Sequence, residues 1–474
     1  MNYKISVENI HSKYLNIKAL FSKIDSQKLL VKLPAWRPGR YEIQNFAQYI
    51  RDVKAFGPDQ KELKIKKITK DSWEIETKNQ SDITITYQFN ADIGNAGGSY
   101  VDDAFLYINP INCLMYLEDR QNEKCGLEVD FKSNQQVACG MSHTKEASKV
   151  NFVADSYHDL VDSPLMISDS IRHKTYEVEG STFHIWIKGK TEIDWPRVLR
   201  DFEKFTRKQI EVFGEFPEKE YRFMLWMMPE ANYHGVEHRN STMMTLGPVS
   251  QEFDEFYIDF LGLSSHELFH TWNVKRIRPK ELLPYDYSQE NYFETCFVAE
   301  GITTFYGDWM LYRSGVFSLE QFQKELETTL RRHFDTSDQA TESLLQSSFD
   351  LWLDGYKKGV PERKVSVYHK GAVAAIILHD IIQKATDQKK GLDDVMKILW
   401  LQYGKPFEGY TLDDYITVCE KVTGHTLVEY FLSVIAGNNS VWEQTQEAIR
   451  SLGFEMTRSL EGYTQLNLKE ASNS

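Results

Sequence analysis

The sequence predicts an α+β protein of several domains, and three observations support this fold class. A chain of 474 residues is long enough for two or three domains that each bury a core. Its first part alternates apolar and polar residues as strands do, whereas its later part carries apolar residues at helical spacing. Hydrophobic residues make up 41% of the chain and aromatic residues 13%, which is typical of a globular protein.

The first domain is predicted over residues 1–165 as an antiparallel, sandwich-like β domain. Apolar side chains occupy every second position in the runs 73–75 and 83–89, which is the period of a strand with one buried face. Turn signals that contain proline or glycine separate such runs. Many short strands in sequence favour stacked antiparallel sheets.

The rest of the chain is predicted as a mixed α/β domain over residues 166–385 and a helical region over residues 386–474. Residues 195–213 have the apolar spacing of an amphipathic helix, and an apolar run of strand length follows at 221–228. Later helices are predicted at 392–403, 411–423 and 426–436.

Charge and composition argue against several classes of function. The formal net charge is −14, which disfavours nucleic acid or an anionic membrane as partner. No apolar run is long enough to cross a bilayer, and the amino terminus lacks the apolar stretch of a signal peptide. The five cysteines are widely spaced without a C-x-x-C pair, so we expect reduced, mostly buried thiols. If residue 1 is the native start, these features predict a cytoplasmic protein.

The stretch with the most specific chemistry is the pentapeptide H-E-x-x-H at residues 266–270. On a helix, residues four apart lie on one face, so His266 and His270 can share a metal ion. Glu267 lies about 100° round the helix from the first histidine. There it can serve as general base to a water in the fourth position of a catalytic zinc. The alternative is a chance match on a buried amphipathic helix.

A catalytic zinc usually has a third protein ligand, and Glu300 is the best candidate for it. This residue lies in a segment whose apolar residues recur at helical spacing. A carboxylate in such a segment is costly unless it is paired or bound to metal. Glu294 on the same segment is a rival, and Glu300 could instead form an ion pair with Arg276 or Arg278.

Several blocks of the sequence match a known family in order along the chain. They are LPAWRPGRYE at 33–42, HELFHTWNVKRIRP at 266–279 and AEGIT at 299–303. On these motifs the chain resembles the M61 family of glycyl aminopeptidases, which are zinc peptidases of the gluzincin group. The resemblance implies a thermolysin-like α/β catalytic domain and one zinc ion, with the two histidines and Glu300 as its ligands.

Two further matches imply residues that bind the substrate and stabilise charge. In related zinc aminopeptidases a G-x-M-E-N-like strip holds the free amine of the substrate, and it matches here at Gly235, Val236 and Glu237. A Y-x-K-G motif matches at Tyr368, and its tyrosine donates to the developing oxyanion in those relatives. The family has a second glycine where this chain has His234. Without the resemblance, a salt-bridged surface loop and ordinary aromatic packing are the alternatives for the glutamate and the tyrosine.

These features together predict a zinc aminopeptidase that acts on peptide substrates, and the resemblance implies a preference for small first residues, glycine or alanine. Two other hypotheses remain open: a zinc endopeptidase with the same catalytic residues, and a scaffold that kept the fold without activity. Many members of the resembled family continue into a PDZ domain, and we expect none before Ser474. The sequence does not predict an oligomeric state.

Overall fold

The first part of the chain is built almost entirely of strands, as its period-two pattern predicts. The computed structural model describes residues 1–130, 132, 134–248 and 252–469. In the described residues, one short α-helix, α1 (Tyr157–Val161), and four single 3-10 turns interrupt the strands. The strands are β1 (Asn2–Ser6), β2 (Tyr14–Phe21), β3 (Lys28–Lys32), β4 (Trp36–Arg37), β5 (Glu42–Ile43), β6 (Ile50–Phe56), β7 (Glu62–Leu63), β8 (Ile65–Lys67), β9 (Ser72–Glu76), β10 (Ile83–Asn90), β11 (Tyr100–Val101), β12 (Phe105–Ile108), β13 (Cys125–Asp130), β14 (Gln136–Cys139), β15 (Ser142–Lys145), β16 (Lys149–Ala154) and β17 (Leu165–Ser168).

These strands form three main sheets that share one buried apolar cluster. In the described part of the chain, the sheet orders are β15-β16-β13-β1-β2-β10-β6-β7, β11-β12-β17-β14 and β3-β9-β8. Alternate residues such as Ile5, Ile17 and Ile85 are fully buried in the cluster. The β-rich first region is therefore confirmed. It is not wholly antiparallel, because β1 runs parallel to β13.

A small hairpin, residues 36–43, connects this region to the later part of the chain. It consists of β4 and β5, with Trp36 opposite Ile43. The backbone N–H groups of Ala35 and Trp36 both donate to the carbonyl of Tyr287, at 2.7 and 3.0 Å. These two bonds fix the 36–43 hairpin against a segment that lies beyond the histidine motif.

The middle of the chain forms one mixed sheet with helices packed on it. In the described residues the order is β18-β19-β20-β22-β21, in which β19, β20 and β22 are parallel and β18 and β21 are antiparallel edge strands. The elements are β18 (Ile171–Val178), β19 (Ser181–Lys188), α2 (Trp195–Phe213), β20 (Glu220–Met227), β21 (Asn232–Glu237), β22 (Ser241–Gly247) and α3 (Tyr257–Phe269). Helix α2 has the predicted bounds, and the predicted domain limits at 165 and 385 stay predictions.

The remainder of the chain is mainly helical, as predicted, and its first α-helix, Ile302–Arg313, packs on α3. Two of the predicted helices depart from regular geometry, because each ends in a π-helical turn, at Trp400–Gly404 and at Phe431–Ile435. The helices are α4 (Ile302–Arg313), α5 (Leu319–Phe334), α6 (Leu344–Phe349), α7 (Leu351–Asp354), α8 (His369–Ala385), α9 (Leu392–Leu399), α10 (Leu412–Thr423), α11 (Val428–Tyr430) and α12 (Trp442–Ser451). A final hairpin of β23 (Phe454–Arg458) and β24 (Thr464–Leu468) packs against α5 and α12.

Two composition-based predictions are tested by the fold. All five cysteines lie in the described residues, and each is buried and free, as expected for reduced thiols. Within the described ranges, none of the helices combines the length and apolar character needed to span a bilayer.

Candidate metal centre and active site

Helix α3 and the residue that caps its end hold the two motif histidines side by side. Its buried residues Phe260, Leu261 and Leu268 orient the helix in the core. His266 and His270 are one turn apart, with ring centroids 4.7 Å apart and Nε2 atoms 3.0 Å apart. The four-residue spacing therefore produces the predicted pair of imidazoles.

Glu300 reaches this pair from a π-helical turn. The turn spans Phe297–Gly301 and leads into α4, whereas the sequence pattern predicts regular helix throughout. Glu300 is 2% exposed, and its Oε2 lies 3.6 Å from Nε2 of His266 and 3.4 Å from Nε2 of His270. Turns of this kind occur frequently at functional sites. The structure thus brings the predicted two imidazoles and one distant carboxylate together.

The three ligand atoms have the spacing that a tetrahedral ion needs. Zinc–ligand bonds of about 2.0–2.1 Å place neighbouring ligand atoms about 3.3 Å apart. The separations of 3.0, 3.4 and 3.6 Å bracket that value. Nδ1 of His270 donates to the carbonyl oxygen of Asn273 at 2.7 Å, and this bond fixes the ring with Nε2 on the side of Glu300. The donor set therefore fits zinc.

The two alternatives for Glu300 do not agree with the structure. Arg276 forms its ion pair with Glu218, and Arg278 donates to the carbonyl of Lys275 at 3.1 Å. Glu294, the rival on the same segment, is exposed to solvent. Glu300 therefore has the histidines, and not an arginine, as its charged neighbours.

The buried charges favour an ionised Glu300 and a basic Glu267. Burial works to lower the pKa of His270, but the Glu300 carboxylate outweighs it and raises this pKa to about 10. Burial works to raise the pKa of Glu300, but the two imidazoles hold it below its usual range. Burial raises the pKa of Glu267 to about 8, although His270 partly opposes the shift. A carboxyl with a pKa near neutrality is suited to take up and release a proton.

Glu267 is packed against the edge strand β21. It is 4% exposed, and Thr242 donates a hydrogen bond to its Oε2 at 3.4 Å. A Cβ atom on Gly235 would lie 2.2 Å from Oε1 of Glu267, so a larger residue there would displace the carboxylate. Gly235, predicted as a substrate-binding residue, therefore also makes room for Glu267.

Glu237 is a buried carboxylate at the end of β21. It is 4% exposed, and no described donor hydrogen-bonds its Oε1. Its ligand atom lies within 4.8 Å of those of Glu267 and His270. His238 turns the other way, as strand alternation predicts, and its Nδ1 lies 3.0 Å from Asp162. Glu237 is thus the residue of this strip whose charge faces the histidines.

Val236 and His234 are placed differently from Glu237. Val236 packs in a separate apolar cluster and lines a cavity of about 680 Å³ behind β21. None of the predicted metal ligands lines that cavity, so the Val236 side chain points away from the metal centre. Burial, with the nearby Arg37 and Arg40, lowers the pKa of His234 to about 3. The imidazole in the family's glycine position is therefore neutral.

Tyr368 stands immediately before α8. Burial raises its pKa well above the usual value, and the charge of Glu300 adds to the shift. The phenol is therefore protonated and able to donate. Its oxygen lies 2.7 Å from the hydroxyl oxygen of Tyr356, a residue to which the sequence pattern assigns no role.

A second unpredicted residue comes from the 36–43 hairpin. The hydroxyl of Tyr41 donates to Oε1 of Glu300 at 2.7 Å. Tyr41 lies inside the block 33–42 that carries the family resemblance. That position was the available signal, but nothing in the block indicates which distant residue the tyrosine contacts.

Comparison with family models decides the classification. The model of the Peptidase M61 N-terminal domain matches residues 2–169, and that of M61 glycyl aminopeptidase matches residues 259–374. The chain belongs to the M61 peptidase family. This M61 protein is accordingly a metallopeptidase. None of the curated proteins compared with it matches.

Solved structures share the fold of this M61 peptidase. An aminopeptidase N family protein from Idiomarina loihiensis is 28% identical with a TM-score of 0.90, and the match covers 97% of this chain and 79% of that one. An M1 zinc metallopeptidase from Deinococcus radiodurans is 11% identical with a TM-score of 0.56, over 92% of this chain and 93% of that one. A mutant of the latter, bound to a Tyr-Ser-Ala substrate, matches with the same identity, coverage and TM-score. The M1 likeness concerns the fold.

Proposed function

We propose that this M61 peptidase is a zinc aminopeptidase that removes small amino-terminal residues, glycine and alanine, from peptides. The observation that carries the proposal is Glu237. A buried carboxylate oxygen without a partner is costly, and a substrate ammonium ion is a ligand that would remove the cost. Its position within 4.8 Å of Glu267 and His270 would hold the first peptide bond beside the metal centre.

One zinc ion is the proposed cofactor, with His266, His270 and Glu300 as ligands. The ligand types and their spacing support this choice, since two imidazoles and one carboxylate leave an open position as in catalytic zinc sites. When bound, zinc polarises the scissile carbonyl and makes water a better nucleophile.

The protein's own residues would carry the proton and the developing charge. Glu267 takes the proton of the attacking water and delivers it to the leaving amine. The hydroxyl of Tyr368 donates to the oxygen that becomes negative in the tetrahedral intermediate. Glu237 holds the ammonium group so that only the first peptide bond is in position to react.

The substrate would lie in extended form along β21. This strand is at the edge of its sheet, and an edge strand can pair with an added peptide strand through backbone hydrogen bonds. The Tyr-Ser-Ala peptide bound by the M1 mutant supports a peptide as substrate. The preference for glycine and alanine is supported by the family description, glycyl aminopeptidase.

The test is hydrolysis of matched peptides with free and acetylated amino termini by the zinc-loaded protein. We expect residues to be released singly from free peptides and the acetylated ones to resist. Glu237→Gln keeps the shape but loses the charge, so kcat/KM for free peptides should fall by about 30-fold or more. Glu294→Gln, at an exposed position, is the matched control and should change nothing.

Two outcomes would contradict the proposal. Internal cleavage of acetylated peptides would identify an endopeptidase with the same catalytic residues. Unchanged hydrolysis of free peptides by Glu237→Gln would remove the basis for an amine-binding site.

A further inference from the structure

Tyr41 contacts the predicted metal ligand Glu300 from outside the catalytic helices. The tyrosine is 1% exposed, and its hydroxyl donates to Oε1 at 2.7 Å. The other oxygen, Oε2, is the one that lies 3.6 and 3.4 Å from the two histidines. The two oxygens of the carboxylate therefore have different partners: Oε1 accepts from the phenol, and Oε2 lies towards the histidines. Such partners fix the orientation of a ligand.

The backbone at Tyr41 is held in a conformation that tyrosine rarely adopts. Its φ is 53°, in the left-handed region that is unfavourable for residues with a Cβ atom. Strain of this kind persists where surrounding contacts impose it, and it concentrates at functional sites. Here the strained residue is the one whose hydroxyl meets Glu300.

Gly39, two residues before Tyr41, lies against the carboxylate of Glu237. Its φ is +77°, and a Cβ atom at this position would lie 2.6 Å from Oε2 and 2.9 Å from Oε1 of Glu237. Carbon atoms do not approach oxygen so closely without displacement. The carboxylate of Glu237 therefore rests against the bare face of a glycine, and the glycine limits where this side chain lies.

The hairpin is well placed to hold both carboxylates because it is anchored in the catalytic part of the chain. Two backbone N–H groups, those of Ala35 and Trp36, donate to the carbonyl of Tyr287 at 2.7 and 3.0 Å. The ring of Tyr41 packs on that of Phe293, with centroids 5.5 Å apart. These contacts connect the hairpin to the segment that leads into the π-helical turn of Glu300.

We infer that the 36–43 hairpin of the amino-terminal β region is a wall of the active site that positions two carboxylates. Tyr41 orients Glu300 for the metal ion, and Gly39 sets the place of Glu237 for the substrate amine. The Gly39 part rests on the proposed aminopeptidase function. The Tyr41 part concerns metal binding and is measured without substrate.

The metal part is tested with Tyr41→Phe in the full-length protein. Loss of the hydroxyl frees Oε1 of Glu300, so the zinc dissociation constant, measured by chelator competition, should rise about 10- to 100-fold. The absorption spectrum of the cobalt-substituted protein should change as well. Tyr87→Phe is the matched control, because Tyr87 also loses a buried hydrogen bond, to the carbonyl of Cys113 at 2.7 Å, but lies in the core of the β region.

The substrate part is tested with Gly39→Ala. The added methyl group would displace Glu237, so KM for a free-amine peptide should rise about 10-fold or more while the zinc dissociation constant stays unchanged. Gly180→Ala is the matched control. Gly180 has a φ of +80° and nothing within 4 Å of an added Cβ atom, so it carries the same backbone strain without the contact.

The results separate this inference from the proposed function. If Tyr41→Phe binds zinc as tightly as Tyr87→Phe does, or if KM for Gly39→Ala equals that for Gly180→Ala, the inference is overturned. If wild-type protein cleaves acetylated peptides as well as free ones, the aminopeptidase proposal fails, whereas the zinc measurement still decides the role of Tyr41.

Discussion

Glu267 is surrounded by groups of both charge signs, which makes its protonation sensitive to the site. Burial raises its pKa to about 8, and Glu237 and Glu300 add to the rise while His270 opposes it. A raised pKa makes the ionised carboxylate a stronger base towards water than an exposed glutamate is. A substitution that keeps the shape of this side chain can therefore test whether it acts as the base.

We predict that Glu267→Gln lowers kcat by about 10²- to 10⁴-fold, because the amide cannot accept the proton. Zinc content should stay at the wild-type level, since Glu267 is not among the three proposed ligands. Steady-state kinetics and elemental analysis of the same sample provide the check. An active Glu267→Gln protein would exclude this residue as the base.

The hydroxyl of Tyr368 is expected to stabilise the negative charge that forms on the substrate. Tyr368→Phe removes the donor to the developing oxyanion, so kcat should fall by about 10²- to 10³-fold with little change in zinc affinity. Tyr463→Phe, at a position 57% exposed, is the control and should behave as wild type. Equal kcat values for the two variants would assign Tyr368 to packing.

The sequence predicts that the two histidines lie side by side, but it does not predict which residues hold the metal ligands in place. His266 and His270 are four positions apart, so one helix suffices to bring them together. Tyr41 is 259 positions from Glu300, and their contact depends on the packing of two regions. Local patterns do not encode such a contact, which is why the tyrosine is visible only in the structure.

At the scale of elements, the metal centre depends on how α3 is joined to the π-helical turn. Asn273, just after α3, is fully buried and donates to the carbonyls of Val298 and Ala299 at 2.8 and 3.3 Å. Its own carbonyl accepts from His270 at 2.7 Å. One residue therefore connects the histidine helix to the turn that carries Glu300.

We predict that Asn273→Ala lowers the free energy of unfolding by about 2 kcal/mol, because two buried carbonyls lose a donor. It should also weaken zinc binding, since Glu300 is no longer held in register with the histidines. Urea denaturation and chelator competition measure the two effects. Asn467→Ala, at an exposed position, should change neither, and a wild-type zinc affinity in Asn273→Ala would contradict the link.

The sequence pattern predicts the elements better than their detailed geometry. Apolar residues at Phe297, Val298, Ile302 and Phe305 indicate a helix, and the segment is helical. The pattern does not show that the first turn is a π turn, because residues 297–301 are all buried and a segment without an exposed face carries no signal of its exact period. Tertiary contacts meet at this turn, namely the hydrogen bonds of Asn273 and the close packing of Gly301, whose added Cβ would lie 2.4 Å from Gly371.

On the scale of the whole molecule, an ionic cluster connects the β region to the catalytic part. Asp162 lies 3.0 Å from Nδ1 of His238 and 2.8 Å from Nζ of Lys275, and its Oδ2 accepts from the backbone N–H of Arg239 at 3.0 Å. Burial works to raise the pKa of Asp162, but Lys275 and His238 hold it below the usual range. The carboxylate therefore stabilises the fold above its unfolded-state pKa, and this contribution is lost as the pH falls.

We predict that Asp162→Asn lowers the free energy of unfolding at neutral pH by about 3 kcal/mol, because the buried Lys275 is left without its partner. The loss relative to wild type should shrink as the pH is lowered into the acid range. Asp155→Asn is the control, since its pair with Lys124 is exposed at both ends, 85% and 78%, and should cost less than about 0.5 kcal/mol. Equal urea midpoints for the two variants would contradict a connecting role.

The order of the regions could be predicted from the sequence, but their assembly could not. Alternation and helical spacing depend on neighbouring residues, so the β-rich first region and the helical last region follow from local patterns. The parallel pairing of β1 with β13 joins Tyr3 to Leu127, and no periodic signal marks a partner so distant. The contact between the 36–43 hairpin and the catalytic helices could not be predicted either, because it also joins residues that are distant in sequence.

The proposed mechanism depends on one zinc ion held by His266, His270 and Glu300. Anomalous diffraction at the zinc edge from crystals of the metal-loaded protein locates this ion. We expect a single peak about 2.0–2.2 Å from the two Nε2 atoms and from Oε2 of Glu300. A peak bound instead by Glu237 and Glu267, which also lie within 4.8 Å of the His270 ligand atom, or one beyond bonding distance of Glu300, would contradict it.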